Sequence, residues 1–173
     1  MSKTRAKVES LRERIQSSED ISDADRAALL RFSDQLYLLK SQYTDFRHDK
    51  LLRHCTRMAE NVGEVDEALT DRDAAEELVR WINREYENEY TNHDYRTALR
   101  VFGKRLSDSD EVPPSLEWIP SGTSSSHDPV PNPADMLEWE TDVVPMIEGC
   151  RNSRDKALLA VAFDSGARSG ELQ

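Results

Sequence analysis

The 173-residue chain is 37% hydrophobic and carries a formal net charge of −11, which allows one or two small domains around a modest core. It contains no run of 18 apolar residues, so no membrane-spanning helix is expected, and the charged opening MSKTRAKVESLRERIQ does not read as a secretory signal. Cys55 and Cys150 are far apart and fit no metal-ligand spacing; the expectation is a reduced, cytoplasmic protein without a cofactor.

Residues 2–18 have helical periodicity, with Val8, Leu11 and Ile15 forming a thin apolar stripe on a charged segment. We read residues 1–21 as a solvated N-terminal extension, with a partner-binding arm as the alternative. A second helix starts at Ser22, where Ser22 and Asp25 approximate a capping box, and presents Leu29, Phe32, Leu36 and Leu39. A third runs from about Asp45 to Val62, with Leu51, Cys55, Met58 and Val62 inward and Gly63 as its C-cap. A fourth follows Thr70-Asp71 and buries Ala75, Leu78, Ile82 and Tyr86, with Trp81 flanking that face. A fifth follows Thr91-Asn92 and carries Tyr95, Ala98, Leu99, Phe102 and Leu106. No stretch from 22 to 106 alternates like a strand, so the expected fold is all-α, a compact four-helix bundle over 22–106.

Residues 107–133 hold six of the seven prolines and a Ser/Thr/Gly cluster, the composition of a linker. Leu116, Trp118 and Ile119 interrupt it with an apolar patch expected to dock onto a neighbour. From 134 onward helices resume. Asn132-Pro133 reads as an N-cap and first turn, Met136, Leu137, Trp139 and Val143 follow, and Pro145 is expected to kink or end that helix. Asn152 with Asp155 opens the last helix, which Gly166 stops.

The negative charge is concentrated in one segment. Residues 1–106 hold 19 Lys+Arg against 21 Asp+Glu, residues 107–150 hold no base and 10 acids, and residues 151–173 hold 4 bases and 3 acids. Arginine outnumbers lysine 17 to 6, a usage that fits a cytoplasm with multimolar salt; an ordinary acidic bacterial or archaeal protein is the plainer alternative.

Within the near-neutral bundle, two helices carry basic stripes. Arg47, Lys50, His54 and Arg57 follow one another at steps of three, four and three, and Arg96, Arg100 and Lys104 at steps of four. Charge runs are most often solvated faces paired with nearby acids. Stripes this free of acids also suit phosphate neutralisation, and arginine can read guanine in the major groove. The expected partner is therefore double-stranded DNA. His48 and His54 are six residues apart, on different helix faces, and do not form a metal site with Cys55.

The run from Arg154 to Leu172 ends in Gly166-Ala167-Arg168-Ser169-Gly170-Glu171-Leu172 behind the apolar stretch Ala157–Phe163. It resembles the first catalytic box of the tyrosine recombinase (phage integrase) family, loosely R-D-x-A-L-L-x-x-x-x-x-[TS]-G-x-R-x-x-E-L, with Ser165 in place of the more frequent threonine. The bundle resembles that family's SAM-like core-binding domain, and Thr91 to Leu106 its last helix. The acid-rich composition points to an archaeal, haloarchaeal or viral member.

The resemblance implies metal-free phosphoryl transfer to DNA through a phosphotyrosyl link, with self-association on the DNA. Arg168 would grip non-bridging phosphate oxygens, and Glu171 would orient it. The family's lysine, its second arginine, its histidines and its tyrosine nucleophile follow the first arginine. Here all four histidines and all five tyrosines precede Arg168, so none can be carried over and no nucleophile is assigned. The expectation is the N-terminal part of a recombinase, with 134–173 as an incomplete start of the catalytic domain. The alternatives are a stand-alone DNA-binding remnant that regulates or competes with an intact integrase, and a helical interaction protein with no nucleic-acid role.

Overall fold

The computed structural model describes residues 3–120 and 137–165. Among these residues the regular structure is entirely helical. The chain divides into two compact units, with the boundary between Ser125 and Ser126.

In the first unit, α1 (Lys3–Ser17), α2 (Asp23–Leu38), α3 (Asp45–Asn61), α4 (Arg72–Glu85) and α5 (Glu89–Leu106) form the bundle, with a 3-10 turn at Glu67–Leu69 and a short α6 (Pro114–Glu117). Each main helix from α2 to α5 starts at a side-chain cap. Ser22, Thr44, Asp71 and Asn88 accept hydrogen bonds from the backbone N–H groups of Asp25, Arg47, Asp73 and Thr91, which satisfies donors the helix leaves unpaired. Asn88 starts α5 three residues ahead of the expected Thr91-Asn92, because its carboxamide reaches the Thr91 amide at 3.1 Å. At the end of α3, Gly63 adopts φ +82 and its N–H donates to the Met58 carbonyl, the left-handed stop expected of glycine.

α1 is not a solvated extension. Val8 and Ile15 are fully buried in the same core as Leu29, Phe32, Leu52, Met58, Leu78, Leu99 and Phe102. The thin stripe suffices because α1 lies against α3 and α2, so two apolar side chains and Leu11 fill the groove between them. Arginines seal its flanks. Arg14 pairs with Glu60 on α3 through two hydrogen bonds of 2.9 and 2.6 Å. Arg26 donates to the carbonyls of Ile15, Ser18 and Ile21 and so satisfies the C-terminal end of α1 and the turn that follows.

α3 is the central element, packed against α1, α2 and α5. α5 runs parallel to it, as the neighbours Lys50 with Asp94 and Cys55 with the Ala98 carbonyl require. Phe32 of α2 meets Phe102 of α5 edge to face at 5.1 Å. Trp81, expected to flank the core, is buried and meets both Tyr86 and Tyr95 edge to face.

The first part of the expected linker also belongs to this unit. Leu116 and Ile119 are buried against the bundle, and Ser115 donates to the Leu69 carbonyl. The contact depends on Gly103, where a side chain's first carbon would stand 2.5 Å from Leu116 Cδ1 and 2.9 Å from Pro113 Cδ.

The second unit contains a π-helical turn at Trp139–Val143, α7 (Val144–Gly149) and α8 (Ser153–Ser165). Pro145, expected to kink or end the helix, lies in the first turn of α7, at the junction where the π-helical turn gives way to α-helix. Asn152 caps α8 by accepting from the Asp155 amide and donating to the Asp155 carboxylate, both at 2.8 Å. Trp139 packs on Phe163. Val143 is the buried apolar residue here, and Leu137, Met146, Leu158 and Val161 are exposed, so the packing is thin among the described residues. The expected Asn132-Pro133 cap, Met136 and the Gly166 stop lie outside the described residues.

Two substitutions check this arrangement. Ile15→Ala should cost about 2–5 kcal/mol in urea denaturation, as for a core residue, whereas a solvated extension would lose well under ~1 kcal/mol. Gly103→Ala, which in an open helix would stabilise by roughly 1 kcal/mol, should instead destabilise by about 1–3 kcal/mol and speed proteolysis within 107–120.

Candidate nucleic-acid interface

The basic residues of α3 are placed by the helix's burial on its other sides. Leu51, Leu52, Cys55, Met58 and Ala59 face inward, which leaves a solvent strip holding Phe46, Lys50, Arg53 and Arg57. Arg53 and Arg57 are exposed and carry no ion pair among the described residues. Glu60, one turn beyond Arg57, is the acid positioned to neutralise it, but Arg14 holds both Glu60 oxygens. Arg47 is exposed on the edge of the strip, and its backbone N–H belongs to the Thr44 cap.

Lys50 is partly engaged. Its Nζ lies 2.7 Å from Asp94 Oδ2 on α5, and both side chains are about one-third exposed, the setting of a weak surface pair. His54 does not fit the expected role of an exposed cation. Its ring lies 4.1 Å from the Tyr95 ring, and both ring nitrogens are buried without a hydrogen-bond partner. Burial, reinforced by Arg53, Lys50 and Arg57 and opposed by Asp94, lowers its pKa to about 4. Near neutral pH it is an uncharged wedge between α3 and α5, so the stripe runs Lys50–Arg53–Arg57. Arg53 is the residue that sequence reasoning missed. It falls three residues after Lys50 and four before Arg57, and the step to His54 drew the reading onto the wrong edge of the helix.

The stripe on α5 is largely consumed. Arg96 donates to the Asn83 carboxamide on α4 at 2.7 Å, and its Nε is buried. Arg100 Nη1 donates to the carbonyls of Leu116, Glu117 and Ile119 at 3.2, 2.9 and 2.6 Å, capping α6. Lys104 is half-buried one turn further on. These residues leave α5 on the side of α4 and α6, whereas Lys50 and His54 meet α5 at Asp94 and Tyr95, so the two stripes do not merge into one surface. Arg168 and Glu171 lie outside the described residues.

The remaining titratable side chains near the strip are structural. Tyr86 donates to the Tyr95 hydroxyl at 2.7 Å, with the rings stacked at 4.5 Å. Burial pushes the Tyr95 phenol up, which disfavours the phenolate a nucleophile would need. Burial likewise raises the Cys55 thiol. His48 is buried, lies 2.9 Å from Ser33 Oγ, and is lowered to about 4 by burial and by Arg5 and Arg12. No group of three or more His, Cys, Asp or Glu among the described residues is arranged to hold a metal ion. No helix among them is long and apolar enough to cross a membrane.

Compared with protein-family models, curated proteins and solved structures, the chain finds no match.

The two lowered histidines set a pH dependence. In the unfolded chain each titrates near 6.5 and in the folded chain near 4, so below 6.5 the unfolded state takes up protons that the native state does not. Stability should be full above pH 6.5 and fall as pH drops toward 4, with a slope of up to about 1.4 kcal/mol per pH unit for each histidine. Urea midpoints between pH 7 and 5 measure this. His54→Phe, which keeps a ring against Tyr95, should reduce the slope; an unchanged slope would remove His54 from the account.

Proposed function

We propose that the chain is the DNA-binding N-terminal part of a site-specific tyrosine recombinase, with the bundle acting as a SAM-like core-binding domain. The observation that carries the reading is the Arg53–Arg57 pair. These two guanidiniums are exposed on the outer strip of α3 and carry no ion pair among the described residues, with Lys50 and Arg47 beside them. Two or more cations along one helix face match the spacing of backbone phosphates, and arginine adds bidentate geometry for phosphate or guanine. The motif ending in Gly166-Ala167-Arg168 and Glu171-Leu172 supports the recombinase assignment through its resemblance alone. In that assignment Arg168 contacts the scissile phosphate, Glu171 supports it, and no residue of this chain is assigned the nucleophile.

The α5 stripe takes a smaller part than its spacing implies. Arg100 and Arg96 hold α6 and α4 in place, so their contribution to binding is indirect, through the shape of the bundle. That internal use favours, as a second reading, a helical interaction protein in which the cations serve the fold. A stand-alone DNA-binding remnant shares the chemistry of the first reading and differs in its partners.

One titration separates the first two. The parent chain should bind duplex DNA in fluorescence anisotropy at low salt, with log K falling linearly against log salt. Arg53→Glu with Arg57→Glu should weaken binding at least about tenfold and flatten the salt slope by roughly 2, since two phosphate contacts are lost. Arg84→Glu, an exposed change on α4, should leave it within about twofold. Absent binding in the parent, or an equal loss in all variants, would favour the interaction-protein reading. A suicide substrate carrying a nicked strand should yield no covalent adduct with this chain.

A further inference from the structure

Where α1 ends, α2 begins and α3 gives way to the 3-10 turn, a cavity of about 810 Å3 opens. Asp20, Asp25, Glu60, Glu64, Asp66 and Glu67 line it, and its lining contains no lysine or arginine. Arg14 engages Glu60 from outside the lining. Asp20, Glu64, Asp66 and Glu67 are exposed at the mouth and carry no ion pair among the described residues. Several like charges around one concave surface focus a negative potential into it.

Surface carboxylates alone would be a solvated acidic patch. Asp25 sets this cavity apart. It is 1% exposed, yet it is a carboxylate and part of the wall. Its Oδ1 accepts from the Asp66 N–H at 2.9 Å and tethers the turn after α3 to the first turn of α2. Its Oδ2 is buried and has no hydrogen-bond partner. Gly63 leaves the space beside that oxygen unfilled: a side chain's first carbon there would stand 3.9 Å from Oδ2. An unpaired buried carboxylate oxygen is costly, and a bound donor would remove that cost.

We propose that this cavity binds a guanidinium group. The unpartnered Asp25 oxygen asks for a donor, and the acidic mouth asks for a cation. No group of three or more His, Cys, Asp or Glu among the described residues is arranged to hold a metal ion, and the cation proposed is an organic one. A guanidinium fits better than an ammonium. Its planar fork can donate to Oδ2 and to a mouth carboxylate together, and it is less strongly hydrated, so burial against Asp25 costs it less. The chemistry is shared by free guanidino compounds and by an arginine side chain of a polypeptide. The site stands apart from the cationic strip, and its failure would leave the Arg53 and Arg57 measurements untouched.

The test uses the full chain, labelled with nitrogen-15, at low salt. Agmatine should give saturable shifts of the Gly63 and Asp66 amides and bind at least about tenfold more tightly than putrescine, which carries ammonium groups only. Asp25→Asn keeps an acceptor for the Asp66 N–H and turns the open position into a donor, so it should weaken agmatine at least about tenfold. If that variant loses its helical circular dichroism, Glu64→Gln with Glu67→Gln, both on the surface, decides by the same criterion. Tighter binding of N-acetyl-arginine amide than of agmatine assigns the site to an arginine side chain, and the reverse order to a free guanidino compound. Shifts that are linear in concentration, equal for putrescine, or indifferent to the folded variants would overturn the proposal and leave ordinary screening.

Discussion

Burial of α3 on three of its sides is the constraint from which the rest of the first unit follows. α1, α2 and α5 all pack on it, so Leu51, Leu52, Cys55, Met58 and Ala59 are held inward and a single narrow strip meets solvent. The orientation of that strip decides which cations are free. His54 sits only about one helical step away from it, yet it is wedged against Tyr95 and uncharged near neutral pH, whereas Arg53 and Arg57 project outward. Rotating α3 by a fraction of a turn would exchange those roles and expose core side chains, so the packing of the helix and the chemistry of its outer face are one property.

Arginine serves two ends in this chain, and neighbours decide between them. Arg26 closes the C-terminal end of α1, and Arg100 closes α6, each by donating to three carbonyls. Carbonyls at a helix end need donors; Arg26 supplies them from Nε and Nη2, which diverge in one rigid plane, and Arg100 from Nη1 alone. Arg14 works indirectly. By occupying Glu60 it anchors α1 to α3 and also removes the acid that would have quenched Arg57. An outer cation is thus kept free by an ion pair formed between two other residues.

The helices were largely legible because the signals that specify them are local. Ser22, Asp71 and Gly63 announce their caps within three or four residues, and Leu29, Phe32 and Leu36 repeat at helical spacing. Two misjudgements share one cause. The Val8–Ile15 stripe is too thin to declare a core helix alone, and its burial depends on the groove that α2 and α3 provide. Arg100 looks as free as Arg53 on a helical wheel, and only the return of residues 113–119 onto Gly103 gives it carbonyls to hold. The Asp25 oxygen had no signature either, since a buried carboxylate at the third position of a helix reads as an ordinary capping residue.

Residue order by itself determined where most of the helices lie, which faces are apolar, and that basic stripes run along two of the helices, because caps and the 3.6-residue period act between residues a few positions apart. The tertiary structure decided which of those cations remain available, that the first helix belongs to the core, and that an acidic cavity has an unpaired oxygen in its wall. Those outcomes depend on which side chain meets which across helices more than ten residues apart in sequence, and that register exists only once the helices have packed.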